Sequence, residues 1–504
     1  MQHPFGAAMI TSPKIVEAGV NRQLETYQRI GRVLGPAVFA LMLGLESWQQ
    51  VMDPVAWRVA AVGLWMAIWW AMDAIPVAAT AFLPLVLFDP LGIASIGSAA
   101  SHYANPIIYL FLGGFMLALA LERWNLHRRI ALAILDHTGT EGRRLVGGFM
   151  AVCALLSMWM TNTSTTMMLL PIVLSVVGVI RDNVPDLTER NRADFEVAML
   201  LGLAYASSIV VLATRVGTPP NALLVGYLSA NYGIEISFAR WMLVGVPVSL
   251  VMLPLAWLVL TRFMHPVNFP ESAAVHAHLH ALRAEMGPMT RPERRVGMLF
   301  VAVVLCWMLR QPLSNWLGLS GISDAGIVMA AAVLLFMLPS GTGSQPRLMT
   351  WHDASRLPWG VLVLFGGGLS LAAAVSDSGL ALWLGESLAP LNTWGTVVLV
   401  VAAVTLVIFL TELTSNLATT ATLLPVMGAI AIQAGVPPLI LTVPVTVAAS
   451  CAFMLPVATP PNAIIFATGA LTIPQMVRAG FILNLIGIVV VTLIAVFVAP
   501  AALQ

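Results

Sequence analysis

The chain has 504 residues and a formal net charge of +1, with 59% hydrophobic and only 9% charged residues. Soluble domains carry roughly 25% charged residues, so this composition excludes a soluble protein and indicates a polytopic membrane protein. The balanced charge excludes a polyanionic partner such as nucleic acid. An apolar helix needs about 20 residues to cross a bilayer, and the sequence contains about eleven such stretches, some of them interrupted.

The first thirty-odd residues are polar and lack an apolar run followed by a cleavage site, so we expect no signal peptide. The early apolar stretches include "WWAMDAIPVAATAFLP" at 69–84 and "YLFLGGFMLALALE" at 109–122. Asp73 could carry protons, because carboxylates inside a membrane are usually functional. Its position shortly before Pro76, at a predicted span boundary, instead favours a structural role at a helix end.

A small polar patch interrupts the next apolar region. The stretch "MWMTNTSTTMMLLP" at 158–171 holds six consecutive small polar residues and no charge, His or Cys. Arginines flank it on both sides, and it is too short for two full spans joined by a turn, so it predicts a re-entrant hairpin. The tetrapeptide "TPPN" at 218–221 lies within the long apolar segment 197–228, where two prolines remove backbone donors and break the helix.

A polar loop follows at 265–295 and contains "HAHLH" at 276–280. Histidines at alternate positions could hold a metal, but no Cys or carboxylate pattern accompanies them, so we do not expect a metal site there. Cys153, Cys306 and Cys451 lie in apolar segments. They are predicted to be buried small hydrophobic side chains rather than a disulfide framework.

The second half of the chain repeats these features. The stretch "LTELTSNLATTATLLP" at 410–425 aligns with the first polar patch at an offset of 254 residues, which superposes Asn416 on Asn162. "TPPN" recurs at 459–462. Two Gly-rich segments match at an offset of 253, "LGGFMLALALERWNL" from Leu112 and "FGGGLSLAAAVSDSG" from Phe365. A single polar patch is most often a helix–helix contact, but two patches in register with two helix breaks indicate a binding site.

Basic residues lie mostly in loops that would share one side of the membrane. These are Lys14, Arg22, Arg29, Arg32, Arg123, Arg128, Arg129, Arg143, Arg144, Arg181, Arg190, Arg192, Arg262, Arg283, Arg291, Arg294, Arg295, Arg347, Arg356 and Arg478. Only Arg58, Arg240 and Arg310 remain for the other side, with Arg215 inside a span. The positive-inside rule then places the N-terminus in the cytoplasm and the C-terminus outside. The first hairpin would enter from the cytoplasm and the second from outside, so the two halves are predicted to be inverted.

Hairpin tips and broken helices expose backbone N–H and carbonyl groups, which membranes tolerate only where protein or a water-filled cavity receives them. Paired interrupted segments in inverted halves point to the binding site of a transporter. Helix N-termini hold carboxylates without a formal positive charge. Amides of Asn162 and Asn416 and hydroxyls of Thr161, Thr163 and Ser415 can donate to the same anion. Free carbonyl and hydroxyl oxygens suit sodium, and two half-sites suit a dicarboxylate.

These motifs resemble those of the divalent-anion/sodium symporter family, whose members carry dicarboxylates, citrate or sulfate. The family signature is a Ser-Asn-Thr triplet at each of two hairpin tips, represented here by Thr161-Asn162-Thr163 and Ser415-Asn416-Leu417. The resemblance covers nearly the whole chain from about residue 30. It implies an all-α homodimer of eleven spans per subunit in the lipid of a bacterial plasma membrane. In such a protein a transport domain moves elevator-fashion against a rigid scaffold.

The resemblance also implies how the chain is divided. The segments are a cytoplasmic N-terminal segment (1–33), scaffold spans (34–142 and 296–392), a cytoplasmic loop (265–295) and two transport-domain halves (143–264 and 393–504). Each transport half contains one hairpin and one broken helix, and the second also contains the last span.

Ligand sets follow from the same resemblance, position by position. One sodium ion would bind Ser157, Thr161, Asn162 and the Gly217 carbonyl, and the other Thr411, Asn416 and the carbonyls of Thr414 and Ala458. The substrate would meet Thr161, Asn162, Thr163, Ser415, Asn416 and position Leu417, with Thr218, Pro219, Thr459 and Pro460 lining the cavity. Glu412 is expected to stabilise the hairpin, because a neighbouring anion site would repel an exposed carboxylate.

Three positions depart from the family pattern. Thr161 replaces the usual Ser but keeps a hydroxyl, whereas Leu417 replaces the usual Thr and loses one. Arg215 is a charge where an uncharged residue is expected. Its guanidinium either points into the first cation site and stands in for sodium, or pairs elsewhere with a carboxylate or with carbonyls of the broken helix.

The sequence therefore predicts a secondary active transporter of C4-dicarboxylates such as succinate, malate and fumarate, driven by co-transported sodium and without an organic cofactor. The alternatives are a sodium-independent dicarboxylate exchanger and a sulfate or tricarboxylate carrier. An enzyme has no support, because the sequence lacks GxSxG, HExxH, paired intramembrane aspartates and a Walker loop. A channel fits less well, because hairpins that enter from both sides and meet at one closed site suit alternating access.

Overall fold

The structure, a computed structural model, describes residues 26–183, 187–318, 321–343, 345–387 and 395–503. The described chain is mostly helical, with one two-stranded antiparallel sheet. This confirms the predicted helical fold class. The predicted absence of a signal peptide, and most of the predicted N-terminal segment, lie outside the described residues.

Residues 26–183 and 187–258 form twelve α-helices. They are α1 (Thr26–Leu45), α2 (Pro54–Ala71), α3 (Val77–Thr80), α4 (Leu83–Leu87), α5 (Ile96–Ser101), α6 (Pro106–Arg123), α7 (Leu126–Leu135), α8 (Gly142–Ser157), α9 (Asn162–Asn183), α10 (Glu189–Val210), α11 (Pro219–Tyr232) and α12 (Phe238–Leu258). Two 3₁₀ turns (His102–Ala104 and Val211–Ala213) and a π-helical turn (Val259–Met264) extend these helices.

The remaining helices complete the molecule. They are α13 (Ala273–Glu285), α14 (Arg291–Met308), α15 (Arg310–Leu317), α16 (Asp324–Met337), α17 (Trp351–Ala354), α18 (Trp359–Asp377), α19 (Leu380–Ser387), α20 (Thr396–Thr411), α21 (Asn416–Gln433), α22 (Leu439–Ala448), α23 (Pro460–Phe466), α24 (Ile473–Phe497) and α25 (Ala499–Leu503). Strands β1 (Pro339–Thr342) and β2 (Gln345–Arg347) pair between α16 and α17.

Eight helices of the described chain are long and apolar enough to cross a membrane, or nine if the bent pair α14 and α15 forms one span. The predicted number of eleven is therefore not confirmed. Four further apolar helices have only 10–17 residues, among them α16, α20 and α22. Hairpin arms and half-helices are apolar but shorter than the roughly 20 residues of a full span. The number of apolar stretches in the sequence is therefore larger than the number of long helices.

Helix positions follow the repeat of the sequence. Helices α6 and α18 begin 253 residues apart, while the pairs α7/α19, α8/α20 and α9/α21 each begin 254 residues apart. Both hairpins also break identically, because α8 ends at Ser157 and α20 at Thr411, and the next helices begin at Asn162 and Asn416. Local sequence thus sets the same helix boundaries in both halves.

Helix α10 lies at the centre of the molecule. Of its most apolar 18-residue window, 94% of the residues are buried. It packs against α8, α9 and α12, and also against α23 from the second half. A helix that is apolar on all sides is expected to be surrounded by protein, and α10 is.

Two local predictions need correction. The "HAHLH" stretch is part of helix α13 rather than a loop, and this helix buries Val275 and Leu279. The described residues contain no group of three or more potential metal ligands. Cys153 and Cys451 are buried as predicted, but Cys306 is only half-buried.

Asp73 has a structural position. It lies just beyond the end of α2 in the left-handed region, with φ of 44°, and its side chain is exposed. The amide of Gln28 donates to its carboxylate at 3.3 Å. Aspartate is one of the few residue types that tolerate this backbone conformation, which agrees with the predicted role at a helix end.

The Gly-rich helix α18 allows a test of this packing. A Cβ at Gly367 would lie 2.4 Å from the Ala81 carbonyl oxygen, whereas a Cβ at Gly178 in α9 would meet nothing within 4 Å. We expect Gly367→Ala to destabilise the protein by about 1–3 kcal/mol through overpacking. Gly178→Ala should be neutral or stabilising by up to about 1 kcal/mol. Thermal unfolding in detergent measures both, and equal midpoints for the two variants would contradict the packing described here.

Candidate functional site

The first hairpin tip is built by Thr161, which lies between α8 and α9, and by the first three residues of α9. The Thr161 hydroxyl accepts a hydrogen bond from the Ser164 amide at 3.2 Å, so it caps the start of α9. The Thr163 amide donates to Asn162 Oδ1 at 2.9 Å. These four side chains are half-buried, whereas Ser157 at the end of α8 is fully buried. The tip thus presents hydroxyl and amide groups to an accessible space.

The second hairpin tip has a tighter network. The Thr411 hydroxyl lies 3.0 Å from Asn416 Oδ1 and 2.8 Å from the Ala449 carbonyl oxygen. The Thr414 hydroxyl lies 2.6 Å from the Thr419 hydroxyl. Ser415 is exposed, so its hydroxyl can meet a ligand.

Leu417 differs from its counterpart in the first half. It is 6% exposed and belongs to the hydrophobic core, whereas Thr163, 254 residues earlier, is half-buried. The two tips therefore offer unequal numbers of hydroxyl groups.

Both broken helices restart at the predicted tetrapeptide. Helices α11 and α23 begin at Pro219 and Pro460, after Thr218 and Thr459 in nearly identical extended conformations, with φ of −140° and −141°. The break therefore precedes the prolines, which occupy the first two positions of the second half-helix. Proline is favoured there because its missing N–H would have no helical partner.

The asparagine of each tetrapeptide holds the unwound backbone in place. Asn221 is fully buried and donates to the carbonyls of Val211, Leu212 and Thr214 at 3.3, 3.3 and 2.8 Å. Asn462, also fully buried, donates to the carbonyls of Ala452 and Leu455 at 3.4 and 3.0 Å. A role for these two asparagines was not predicted from the sequence, although their repetition in both halves indicated one.

Each tip is attached to the break of its own half, but by different groups. In the first half the Thr214 hydroxyl donates to the Met158 carbonyl at 2.6 Å and accepts from the Gly217 amide at 3.0 Å. These two bonds link the hairpin tip to the predicted carbonyl ligand.

In the second half a buried carboxylate makes the attachment. Glu412, 3% exposed, accepts from the amides of Phe453, Met454 and Leu455 at 2.8–3.1 Å and from Asn484 at 2.8 Å. These donors explain why a carboxylate is tolerated at the tip, because buried charges need hydrogen-bonding partners. They agree with the expected structural role of Glu412. Asn484, far away in the sequence, was not predicted.

Packing across the two halves brings the half-sites together. Helix α9, which follows the first tip, packs against α23, and α21, which follows the second tip, packs against α11. Each packed pair joins one helix that begins at a tip to one that begins at a break. Helix N-termini carry partial positive charge and free N–H groups, so the arrangement suits an anion. No hydrogen bond found in the described chain joins the two tips directly.

Arg215 forms a buried ion pair with a carboxylate. Its Nη1 lies 2.7 Å from Oδ2 of Asp324, at the start of α16, and both side chains are buried. Of the two expectations for this residue, pairing with a carboxylate is the one observed. Asp324 itself was missed, since a partner 109 residues away leaves no local signal.

Comparison with known proteins identifies the family of the chain. A model of the family described as "Sodium:sulfate symporter transmembrane region" matches residues 28–500. Two similar proteins, both named sodium-dependent dicarboxylate transporter SdcS, come from Staphylococcus saprophyticus and Staphylococcus aureus strain USA300. The first is 40% identical over 486 residues, covering 96% of this chain and 93% of the relative. The second is 41% identical over 485 residues, covering 94% and 92%.

A solved structure shares the fold. The crystal structure of the YdaH transporter from Alcanivorax borkumensis matches with a TM-score of 0.57 and 14% identity, covering 94% of this chain and 98% of that one. At this identity the likeness concerns the fold alone. The extent of the family match and the identity to its relatives are decisive: the chain is a membrane-spanning member of the sodium:sulfate symporter family.

Proposed function

We propose that the protein is a secondary active transporter that couples sodium entry to the uptake of C4-dicarboxylates across a bacterial plasma membrane. The supporting observation is that the tips and breaks offer amides, hydroxyls, carbonyls and helix N-termini, but none of the proposed ligand residues is basic. A dianion bound by neutral groups gains from cations bound beside it. Sodium and substrate therefore bind best together, which is the basis of symport.

Two sodium sites would flank the substrate. The first comprises Ser157, Thr161, Asn162 and the Gly217 carbonyl, and the second Thr411, Asn416 and the carbonyls of Thr414 and Ala458. An asparagine side chain serves both ligands, because its oxygen can bind the cation and its N–H groups the anion. The substrate carboxylates would accept hydrogen bonds from Thr161, Thr163 and Ser415 and from both tip asparagines, with Thr218, Pro219, Leu417, Thr459 and Pro460 lining the cavity.

The proposed architecture is a pair of inverted repeats in a homodimer, with the N-terminus in the cytoplasm and the C-terminus outside. Matching helix starts in the two halves support the repeats, and the distribution of arginines supports their opposite orientation. The hairpins and broken helices would move as one transport domain against the remaining spans. The hydrogen bonds between each tip and its break support such a unit.

The contact of Arg215 bears on the alternatives. A guanidinium in the first cation site would act as a fixed charge, and the protein would exchange anions without sodium. Since Arg215 pairs with Asp324, the oxygen ligands of that site stay free for a cation. The names of the two relatives favour a dicarboxylate, while the family description includes sulfate.

The transport activity can be tested with purified protein in proteoliposomes. We expect succinate to accumulate under an inward sodium gradient but not when choline replaces sodium. Internal succinate should not be required. Accumulation that ignores sodium and needs internal dicarboxylate would identify an exchanger instead. Sulfate and citrate in the same assay, as competitors, define the substrate class.

The tip asparagines allow a direct test of the site. Asn162→Ala and Asn416→Ala should each abolish sodium-driven uptake, because each removes ligands of both sodium and substrate. The thermal unfolding midpoint without ligands should change little, since both side chains are only half-buried. Asn315→Ala, at an exposed position in α15, is the matched control and should transport normally. Near-normal uptake by either tip variant would disprove the two-tip site.

Glu412 should act on sodium affinity through the backbone that it holds. Glu412→Gln keeps the size of the side chain but removes the charge and faces an amide group toward backbone donors. We expect the sodium concentration for half-maximal uptake to rise about tenfold, the equivalent of about 1.4 kcal/mol. Glu386→Gln, an exposed carboxylate at the end of α19, is the control. An unchanged sodium dependence in Glu412→Gln would show that the second break does not depend on this carboxylate.

A further inference from the structure

The buried ion pair of Arg215 and Asp324 connects the first broken helix to helix α16. Arg215 lies in the unwound segment between α10 and α11, two residues before the proposed sodium ligand Gly217. Asp324 begins α16, which packs mainly against α6 and α14. The pair thus joins the first broken helix to helices that carry none of the proposed ligands.

An aromatic cluster lies around this ion pair, and its rings come from both parts of the chain that the ion pair joins. Phe238 of α12 stacks on Trp307 of α14 with ring centroids 4.3 Å apart, and Trp159 of the first tip meets Phe300 of α14 at 5.1 Å. The Trp307 indole N–H donates to the Asp324 carbonyl at 2.9 Å. The ion pair is therefore enclosed by side chains, and water screens it little.

Asp324 and Arg215 differ in the contacts that each has besides their ion pair. The Asp324 carboxylate also accepts from the Phe238 amide at 3.0 Å and lies 3.3 Å from Arg310 Nε. It further benefits from the N-terminus of its own helix. Within the described residues, Asp324 is the one ion-pair partner found for Arg215.

We propose that the Arg215–Asp324 pair is a latch between the moving and the static parts of the transporter. This inference rests on the proposed elevator mechanism. While the latch is closed, it holds the first broken helix against α16, the arrangement described here. It opens when the transport domain moves. Asp324 then loses the Phe238 amide together with Arg215 but keeps Arg310 and the helix N-terminus. Arg215 turns to Glu235, which lies between α11 and α12 in its own half.

The latch can be tested by distance measurement between two nitroxide labels. Phe263→Cys, in the π-helical turn after α12, and Trp351→Cys, in α17, place labels on exposed positions of the two parts. Cys306 is replaced by Ala because it is half-buried, while Cys153 and Cys451 are fully buried. In the otherwise unaltered protein we expect two distances whose proportions change with sodium and succinate.

Arg215→Gln should reduce the population with the latched distance at least threefold in the absence of ligands. The change removes the buried charge, while Asp324 retains Arg310, so the variant is expected to fold. Should it unfold, the double variant Arg215→Gln/Asp324→Asn removes both charges and should give the same shift. The matched control is Arg129→Gln, which breaks a pair between α7 and α14, both outside the moving part. Its carboxylate is 4% exposed and its arginine 20%. This variant should leave the distances unchanged.

The outcomes separate the latch from the proposed function. If the unaltered protein shows two distances and Arg215→Gln leaves their populations unchanged, the latch is wrong but the proposed function is not affected. An equal shift in Arg129→Gln would also overturn the latch, because the effect would then be general destabilisation. A single distance that sodium and succinate never change would instead overturn the elevator mechanism on which the latch rests.

Discussion

Backbone that leaves a helix inside a membrane must find hydrogen-bond partners within the protein, and the rest of this structure depends on how two breaks meet that demand. Buried Asn221 and Asn462 each bind carbonyls of the segment before their own half-helix. Thr214 and Glu412 join those segments to the hairpin tips. The groups that satisfy the breaks therefore also fix the positions of the tips, so stability and ligand geometry have one origin.

The two halves meet this demand unequally. Five residues separate the 3₁₀ turn from α11 in the first half, and one hydroxyl links tip and break there. In the second half eleven residues separate α22 from α23. The Glu412 carboxylate accepts hydrogen bonds from the backbone amides of three of these eleven residues. A longer unwound segment has more unpaired amides, and an ionised carboxylate, which only accepts, suits several of them at once. The buried carboxylate of Glu412 thus lies directly after Thr411, a proposed ligand of the second sodium ion.

Sequence alone predicted the features that depend on local patterns. The polar stretches around Asn162 and Asn416 and the two Thr-Pro-Pro-Asn motifs follow from short patterns repeated at a fixed offset. In the structure helices end and restart at each of them. The sequence did not predict the number of long helices, since periodicity cannot tell a half-helix from a full span. Contacts between distant residues, such as Glu412 with Asn484, were also out of reach, because any of several buried polar side chains could have been the partner.

One buried charged side chain is associated with each break, and the two side chains contact different parts of the molecule. Glu412 accepts hydrogen bonds from the backbone of the second break and from Asn484 of α24, so it links the second tip to both. Arg215 points out of the first half toward α16. A transporter that moves a preformed site needs internal contacts that persist and external contacts that exchange. A carboxylate bound by four donors of its own unit suits the first requirement. A single ion pair suits the second, and its carboxylate has Arg310 Nε as a further partner 3.3 Å away.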